Sequence, residues 1–254
     1  MPLLTTGARI RVVLERMDVL LERWEAARDP RAVFLRSYRI VTEAMEDAVG
    51  KGLFEDNDWM ERLDVQFAQE YFDAVDASES ARAFPDCWRM VFDLARKRDT
   101  TVLQDLLLGI NAHIVHDLPL ALVKVGFEPG ERMRRRRDHE RVNEILIGLI
   151  DRIQEEVAGR YSWALGILDR WLGTRDELLT RSGILSARTA AWTAAVALFD
   201  APAEAGPKIA LDLDRAARAA ADVIAPGSRF LKPVLRFARP LDGALARWAR
   251  SRTL

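Results

Sequence analysis

The chain has 254 residues, 49% of them hydrophobic and 30% charged, with a formal net charge of −1. That balance excludes a disordered or collagen-like polymer and gives no whole-protein attraction for nucleic acid. Cys87 is the single cysteine, so no internal disulfide framework exists, and apolar runs such as 145–150 and 194–199 are far shorter than the ~20 residues of a membrane span. The opening Met-Pro-Leu-Leu-Thr-Thr lacks the charged and apolar regions of a secretory leader, and the expected location is cytoplasmic. Apart from Lys51, Lys97, Lys124, Lys208 and Lys232 every Lys or Arg is an arginine, which with abundant alanine points to a GC-rich bacterial genome.

Apolar residues recur at three- and four-residue steps almost throughout, and period-2 alternation is never sustained, so the pattern predicts an all-α bundle. A first helix from about Ala8 to Arg28 places Val13, Met17, Leu20, Leu21 and Trp24 on one face. Asp29-Pro30 reads as an N-cap with proline at the first helical position, opening a second helix that carries Phe34, Tyr38, Val41 and Met45 to Gly50-Lys51-Gly52. Asp56 or Asp58 caps a third helix through Trp59, Leu63, Phe67 and Tyr71, and a fourth is expected from about Ser80, interrupted near Pro85. Residues 101–124 are apolar on nearly every side, which places them at the centre of the molecule. After Gly126-Phe127-Glu128-Pro129-Gly130 a helix runs from about Arg134 to Glu156, followed by shorter helices over Trp163 to Leu172 and Leu185 to Phe199. One domain over 1–254 is expected, with 200–208 linking to a C-terminal segment, 209–254, that packs on the bundle.

The central segment Leu107-Leu108-Gly109-Ile110-Asn111-Ala112-His113-Ile114-Val115-His116-Asp117-Leu118-Pro119 carries the chemistry. An amide, two imidazoles and a carboxylate inside an apolar helix all require partners, because an unpaired buried polar group costs about 1–3 kcal/mol. His113 and Asp117 are four residues apart and share a helix face. Such a pair can hold a divalent metal, or the carboxylate can fix the tautomer of an acid/base imidazole, or the cluster can simply hold helices together.

This segment, Gly-x-Asn-Ala-His-Ile-x-x-Asp-Leu-Pro, resembles the signature of the bacterial helical family catalogued as domain of unknown function 5995, over about Pro30 to Phe199. Further matching stretches are Phe34 to Arg39 with Thr42, Arg62-Leu63-Asp64 through Phe67-Ala68 and Tyr71, Asp138 with Val142-Asn143, and Arg188 with Ala191-Trp192. The resemblance implies a polar centre of Asp64, Asn111, His113 and Asp117, with Arg39, Asp138 and Arg188, while His116 and His139 fall where the pattern is loose. It implies a pocket but no reaction. A shorter pattern, Ala-His-x-x-x-Asp followed by Pro-Leu, is similar to the metal-binding helix of zinc-dependent phospholipase C and the related single-strand nucleases. Those enzymes hold three zinc ions with several more histidines. This chain has only His113, His116 and His139, so at most one or two divalent ions are expected, on ligands such as His113, Asp117 and Asp138, or Asp64.

Arg132, Arg134, Arg135, Arg136, Arg137 and Arg141 form either an anion-binding run or a solvated face. The segment from Arg229 to Arg252 is basic and amphipathic, suited to an anionic membrane surface (residues 229–254) or to packing on its own bundle. Cys87, beside Trp88, reads as a buried thiol, and the aromatic residues read as core, with Phe67, Tyr71 and Trp192 as walls of any cavity beside His113. Dinucleotide, P-loop, serine-hydrolase and nucleic-acid-reading motifs are all missing. The expected function is an enzyme performing hydrolysis, elimination or cyclisation on a small, largely apolar metabolite. His113 serves as acid/base or metal ligand, Asp117 as its carboxylate, Asn111 as an orienting amide and Asp64 as a completing acid, with Arg39, Phe67, Tyr71, His116, Arg188 and Trp192 around the substrate. The alternative is a non-catalytic ligand-binding or interaction protein whose polar cluster is structural.

Overall fold

The computed structural model describes residues 7–80, 82–161 and 163–226, with the backbone alone for 8 and 163–181. The described residues form an all-α bundle. Helix α1 (Ala8–Ala26) lies along α2 (Arg31–Gly50) and buries Ile10, Met17, Leu21 and Trp24. Asp29 accepts from the Arg31 backbone N–H at 3.0 Å, so it caps α2 as its place before Pro30 predicts. Helix α3 (Asn57–Glu79) is capped by Asp56, which accepts from Trp59 N at 2.9 Å. The fourth helix does not begin at Ser80: α3 stops at Glu79 and α4 (Asp86–Lys97) starts only after Pro85, which fits an N-terminal boundary but not a helix interior.

The central helix comes in three pieces: α5 (Val102–Ala112), a π turn (His113–Asp117) and α6 (Leu118–Val125). Pro119 explains the interruption. It has no N–H to give to the carbonyl four residues back, and the chain widens by one residue immediately before it, with Leu118 N bonding His113 O instead. By length and composition Val102–Val125 is apolar enough to cross a membrane, although its uninterrupted apolar runs are short; 61% of its most apolar stretch is buried inside the bundle.

Helix α7 (Arg132–Arg160) packs against α2 and α8, and α8 (Trp163–Asp200) packs against α6. The expected break between Leu172 and Leu185 does not occur. Gly173 and Gly183 lie within one continuous α8, since an isolated glycine costs a helix only about 1 kcal/mol. Helix α9 (Gly206–Ile224) lies against α4, α5 and the π turn. The basic segment 229–254 is outside the described residues, as are the side chains of Trp163 and Trp171.

Buried polar side chains brace the bundle from helix to helix. Glu61 of α3 accepts from the backbone N–H groups of Gly7 and Arg9 at the start of α1, at 2.9 and 3.0 Å. Asp214 of α9 accepts from Asp86 N and Cys87 N at the start of α4, at 2.9 and 2.8 Å. Gln104 closes a capping box with Thr101 and reaches Ile224 O at the end of α9, at 2.7 Å. Each satisfies helix-end groups that would otherwise be unpaired. The arginine run likewise serves the fold: Arg135 pairs with Asp56, Arg137 with Glu55, and Arg134 and Arg141 hold the carbonyls of Glu55 and Leu53, clamping the α2–α3 loop to α7.

Helix α5 meets α2 at Gly109, where an added Cβ would lie 2.3 Å from Phe34 Cγ. Helix propensity alone makes Gly109→Ala stabilising by about 1 kcal/mol. The collision reverses the sign, and we expect a net loss of about 1–3 kcal/mol in urea unfolding. An unchanged or raised stability would contradict this packing.

Candidate functional site: a histidine pair on one carboxylate beside an apolar cavity

Asp117, 1% exposed, is the hub. Its Oδ2 lies 2.9 Å from His113 Nδ1 and its Oδ1 2.7 Å from His116 Nδ1, while Trp88 Nε1 of α4 donates to both oxygens at 3.0 and 3.1 Å. Burial alone would raise the carboxyl pKa, but the two imidazoles outweigh it and hold Asp117 below its ordinary value. An ionised carboxylate only accepts, so both Nδ1 atoms carry the proton. The two histidines then diverge. Burial depresses His113 below its ordinary pKa, only partly offset by Asp117. For His116 the Asp117 carboxylate more than offsets burial, and Asp214 adds to the pull, so its pKa is raised. His116 is therefore the more readily protonated of the pair, and His113 the less, so in its neutral Nδ1–H form His113 keeps a lone pair on Nε2.

His113 Nε2 is buried and has no hydrogen-bond partner. Phe67 stacks flat on the ring at 3.6 Å between centroids, and Tyr38 meets it edge-on at 4.3 Å. These side chains line a cavity of about 140 Å³ enclosed by α2, α3, the central helix, α7 and α8. That is close to the size of an engineered apolar cavity that admits benzene. It is not sealed: the lining residues Ile110, Ile114, Ile150, Ile153 and Ile184 are only partly buried.

Polar groups without partners gather here. Asp64 Oδ2 has none, and the hydroxyls of Tyr38 and Thr42, one turn apart on α2, have none besides each other. Burial, helped by Glu61, pushes the Asp64 carboxyl up to about 7. Arg188 also lines the cavity, 5% exposed; its Nε donates to Asn143 Oδ1 and its Nη2 to His139 O, both at 2.7 Å. His139 in turn lies 3.3 Å from Arg188 O through Nε2 and is held well below its ordinary pKa by burial and by the Arg188 charge.

Of the residues singled out from sequence, the structure brings Asp64, Phe67, His113, Arg188 and the loosely matched His139 to the cavity, with Asp117 behind His113. The others lie elsewhere. Asn111 donates to Ala217 O at 2.7 Å and ties α5 to α9. Arg39 pairs with Asp18 at the surface. Asp138 accepts from Glu55 N and Asp56 N, at 2.8 and 2.9 Å, as a loop anchor. His116 does not line the cavity and sits in the π turn where α9 packs. Tyr71 packs between Phe34 and Trp88, and Trp192 packs against Phe127 and His139; both belong to the core. Cys87 is buried, and burial pushes its thiol far up. The expected metal set of His113, Asp117 and Asp138 does not converge, because both carboxylates are already filled by N–H donors; among the described residues no group of three His, Cys, Asp or Glu side chains is placed to hold an ion. Tyr38 and Trp88 carry no such signal in the sequence. Tyr38 sits one turn from Phe34 and Thr42 on a predicted core face, and an indole N–H that serves a carboxylate looks the same in sequence as a packing tryptophan.

Fold and site together define an all-helical protein with a histidine–carboxylate pair set in a π turn at the wall of an apolar cavity. A family model described as a family of unknown function, DUF5995, matches residues 10–227, and the chain belongs to that family, well beyond the stretch its motifs mark. No curated protein and no solved structure matches the chain.

Asp64 makes stability depend on pH. The folded protein keeps this proton until about pH 7, whereas an ordinary aspartic acid releases it near 3.8, so the contribution is complete below about pH 4 and is lost as pH rises through 7. Asp64→Asn should remove a fall on the order of 1 kcal/mol per pH unit across that window and be the more stable protein at pH 8. Parallel pH dependences for variant and wild type, measured by denaturant unfolding, would contradict the buried, unpartnered carboxyl.

Proposed function

We propose that the protein is an enzyme acting on a small, largely apolar molecule held in this cavity, with His113 as general base and Asp64 as general acid. The observation that carries the reading is His113 itself: Nδ1–H is fixed by an ionised Asp117 while Nε2 is left, at a cavity wall, with no protein partner. A buried acceptor without a partner costs about 1–3 kcal/mol, and a ligand hydrogen bond would recover it.

In this reading His113 Nε2 takes a proton from the substrate or from a water at the substrate. The imidazolium that forms is stabilised by Asp117, whose orientation Trp88 and His116 fix. Asp64, still protonated near neutrality, gives a proton to the departing or newly charged atom. Base and acid with pKa values pushed in opposite directions at one cavity support acid/base hydrolysis, elimination or cyclisation. Phe67 covers the face of the His113 ring, and because Nε2 itself is buried, lining side chains have to shift for a substrate atom to reach it in the ring plane.

The test is substrate discovery with its own control. Purified wild type and His113→Gln are each incubated with small-molecule extract of the source cells, and consumed and formed masses are compared. Wild type should convert a small apolar metabolite, with conversion at least 100-fold slower in His113→Gln, the lower end of what a positioned base supplies. A molecule retained but never converted by wild type would favour a binding protein, and equal conversion by both proteins would overturn the role of His113.

A further inference from the structure

The cavity contains a charge that the polar cluster around His113 does not use. Arg188 lies on α8, Asp64 on α3, and both line the cavity, yet no salt bridge forms between them, and no acidic side chain among the described residues lies within 4.0 Å of the Arg188 guanidinium. Its Nε and Nη2 are held by neutral acceptors, the Asn143 amide oxygen and the His139 carbonyl, with His139 Nδ1 at 3.4 Å. Nη1, with two N–H groups, has no acceptor among the described residues. The buried arginine is thus oriented but not neutralised, which is costly unless something else brings the counter-charge.

Resting on the reading of the cavity as a substrate site, we propose that its ligand is an apolar monocarboxylate, whose carboxylate pairs with Arg188 and whose hydrocarbon part fills the cavity toward His113. The rest of the lining is almost wholly aliphatic and aromatic, with Met45, Leu63, Val142 and Leu146 among it, so one anionic end and an apolar body match what the walls offer. The guanidinium fork suits a carboxylate, and its two fixed nitrogens hold that fork in place before a ligand arrives. A phosphate ester fits less well. It would bring close to two negative charges to a site whose second basic group, His139, is kept neutral by burial and by Arg188.

The test compares straight-chain carboxylates of four, six and eight carbons with the matching 1-alkanols and 1-alkylamines, on the full-length protein by calorimetry at pH 6, where the probe carboxylates are ionised while Asp64 of the same cavity still holds its proton. At one of these lengths the carboxylate should bind at least 10-fold tighter than its alcohol, and the amine should not bind. Arg188→Gln should cut carboxylate affinity at least 10-fold and leave the alcohol within about 2-fold, with Arg188→Lys in between; the ligand comparison on wild type stands even if a variant fails to fold. Alcohols binding as tightly as carboxylates would overturn the carboxylate proposal and leave the apolar cavity reading in place. Binding of no probe at any length would overturn both.

Discussion

The arrangement of this protein turns on one buried carboxylate that must be kept charged. Asp117 lies in the centre of the bundle, where an isolated carboxylate could not remain ionised. Trp88 and two histidines together surround it with N–H donors. Only one positive charge is needed to balance it, and the environment decides which histidine carries it. The pull of Asp117 and Asp214 favours the proton on His116, while burial disfavours it on His113. The same carboxylate therefore has two effects: it locks α4 to the central helix through Trp88, and it fixes the tautomer of His113 so that the free nitrogen is Nε2, the one without a protein partner.

The π turn makes this geometry available. In a regular α-helix His113 and Asp117 would lie one above the other while His116 pointed about 100° away. Widening the turn brings both imidazoles onto one carboxylate. Pro119, which has no N–H to continue the α-helical ladder, directly follows the widened turn, so a residue outside the cluster fits the backbone that shapes it. Gly109, ten residues earlier, has a parallel effect: it lets Phe34 approach the central helix closely, and that ring touches Tyr38, Tyr71, Trp88 and His113.

Much of this is legible in the sequence, for definite physical reasons. Helical periodicity and the caps at Asp29 and Asp56 are local signals, so the α1, α2 and α3 segments follow from short stretches of chain. The His113–Asp117 pair is visible because polar residues four apart in an apolar helix lie on one face, within reach of each other and of little else that is polar. Pro119 inside that helix marks the π turn, although its meaning emerges only from the backbone. Long-range pairing is not legible. Asn111 and Asp138 read as site residues but serve Ala217 O and the backbone of Glu55 and Asp56, and Glu61 and Asp214, silent in the sequence, cap helices more than fifty residues away. A buried acid that caps a helix and a buried acid that does chemistry share one sequence signature; only the partner tells them apart.

The most direct measurement is the protonation state of His113 by nitrogen NMR of the imidazole, with His113→Gln used to assign its signals. We expect a neutral ring at pH 7 with the proton on Nδ1, an unprotonated Nε2, and a pKa below that of an ordinary histidine. A proton on Nε2 at pH 7, or a His113 that titrates above His116, would contradict the role given to Asp117.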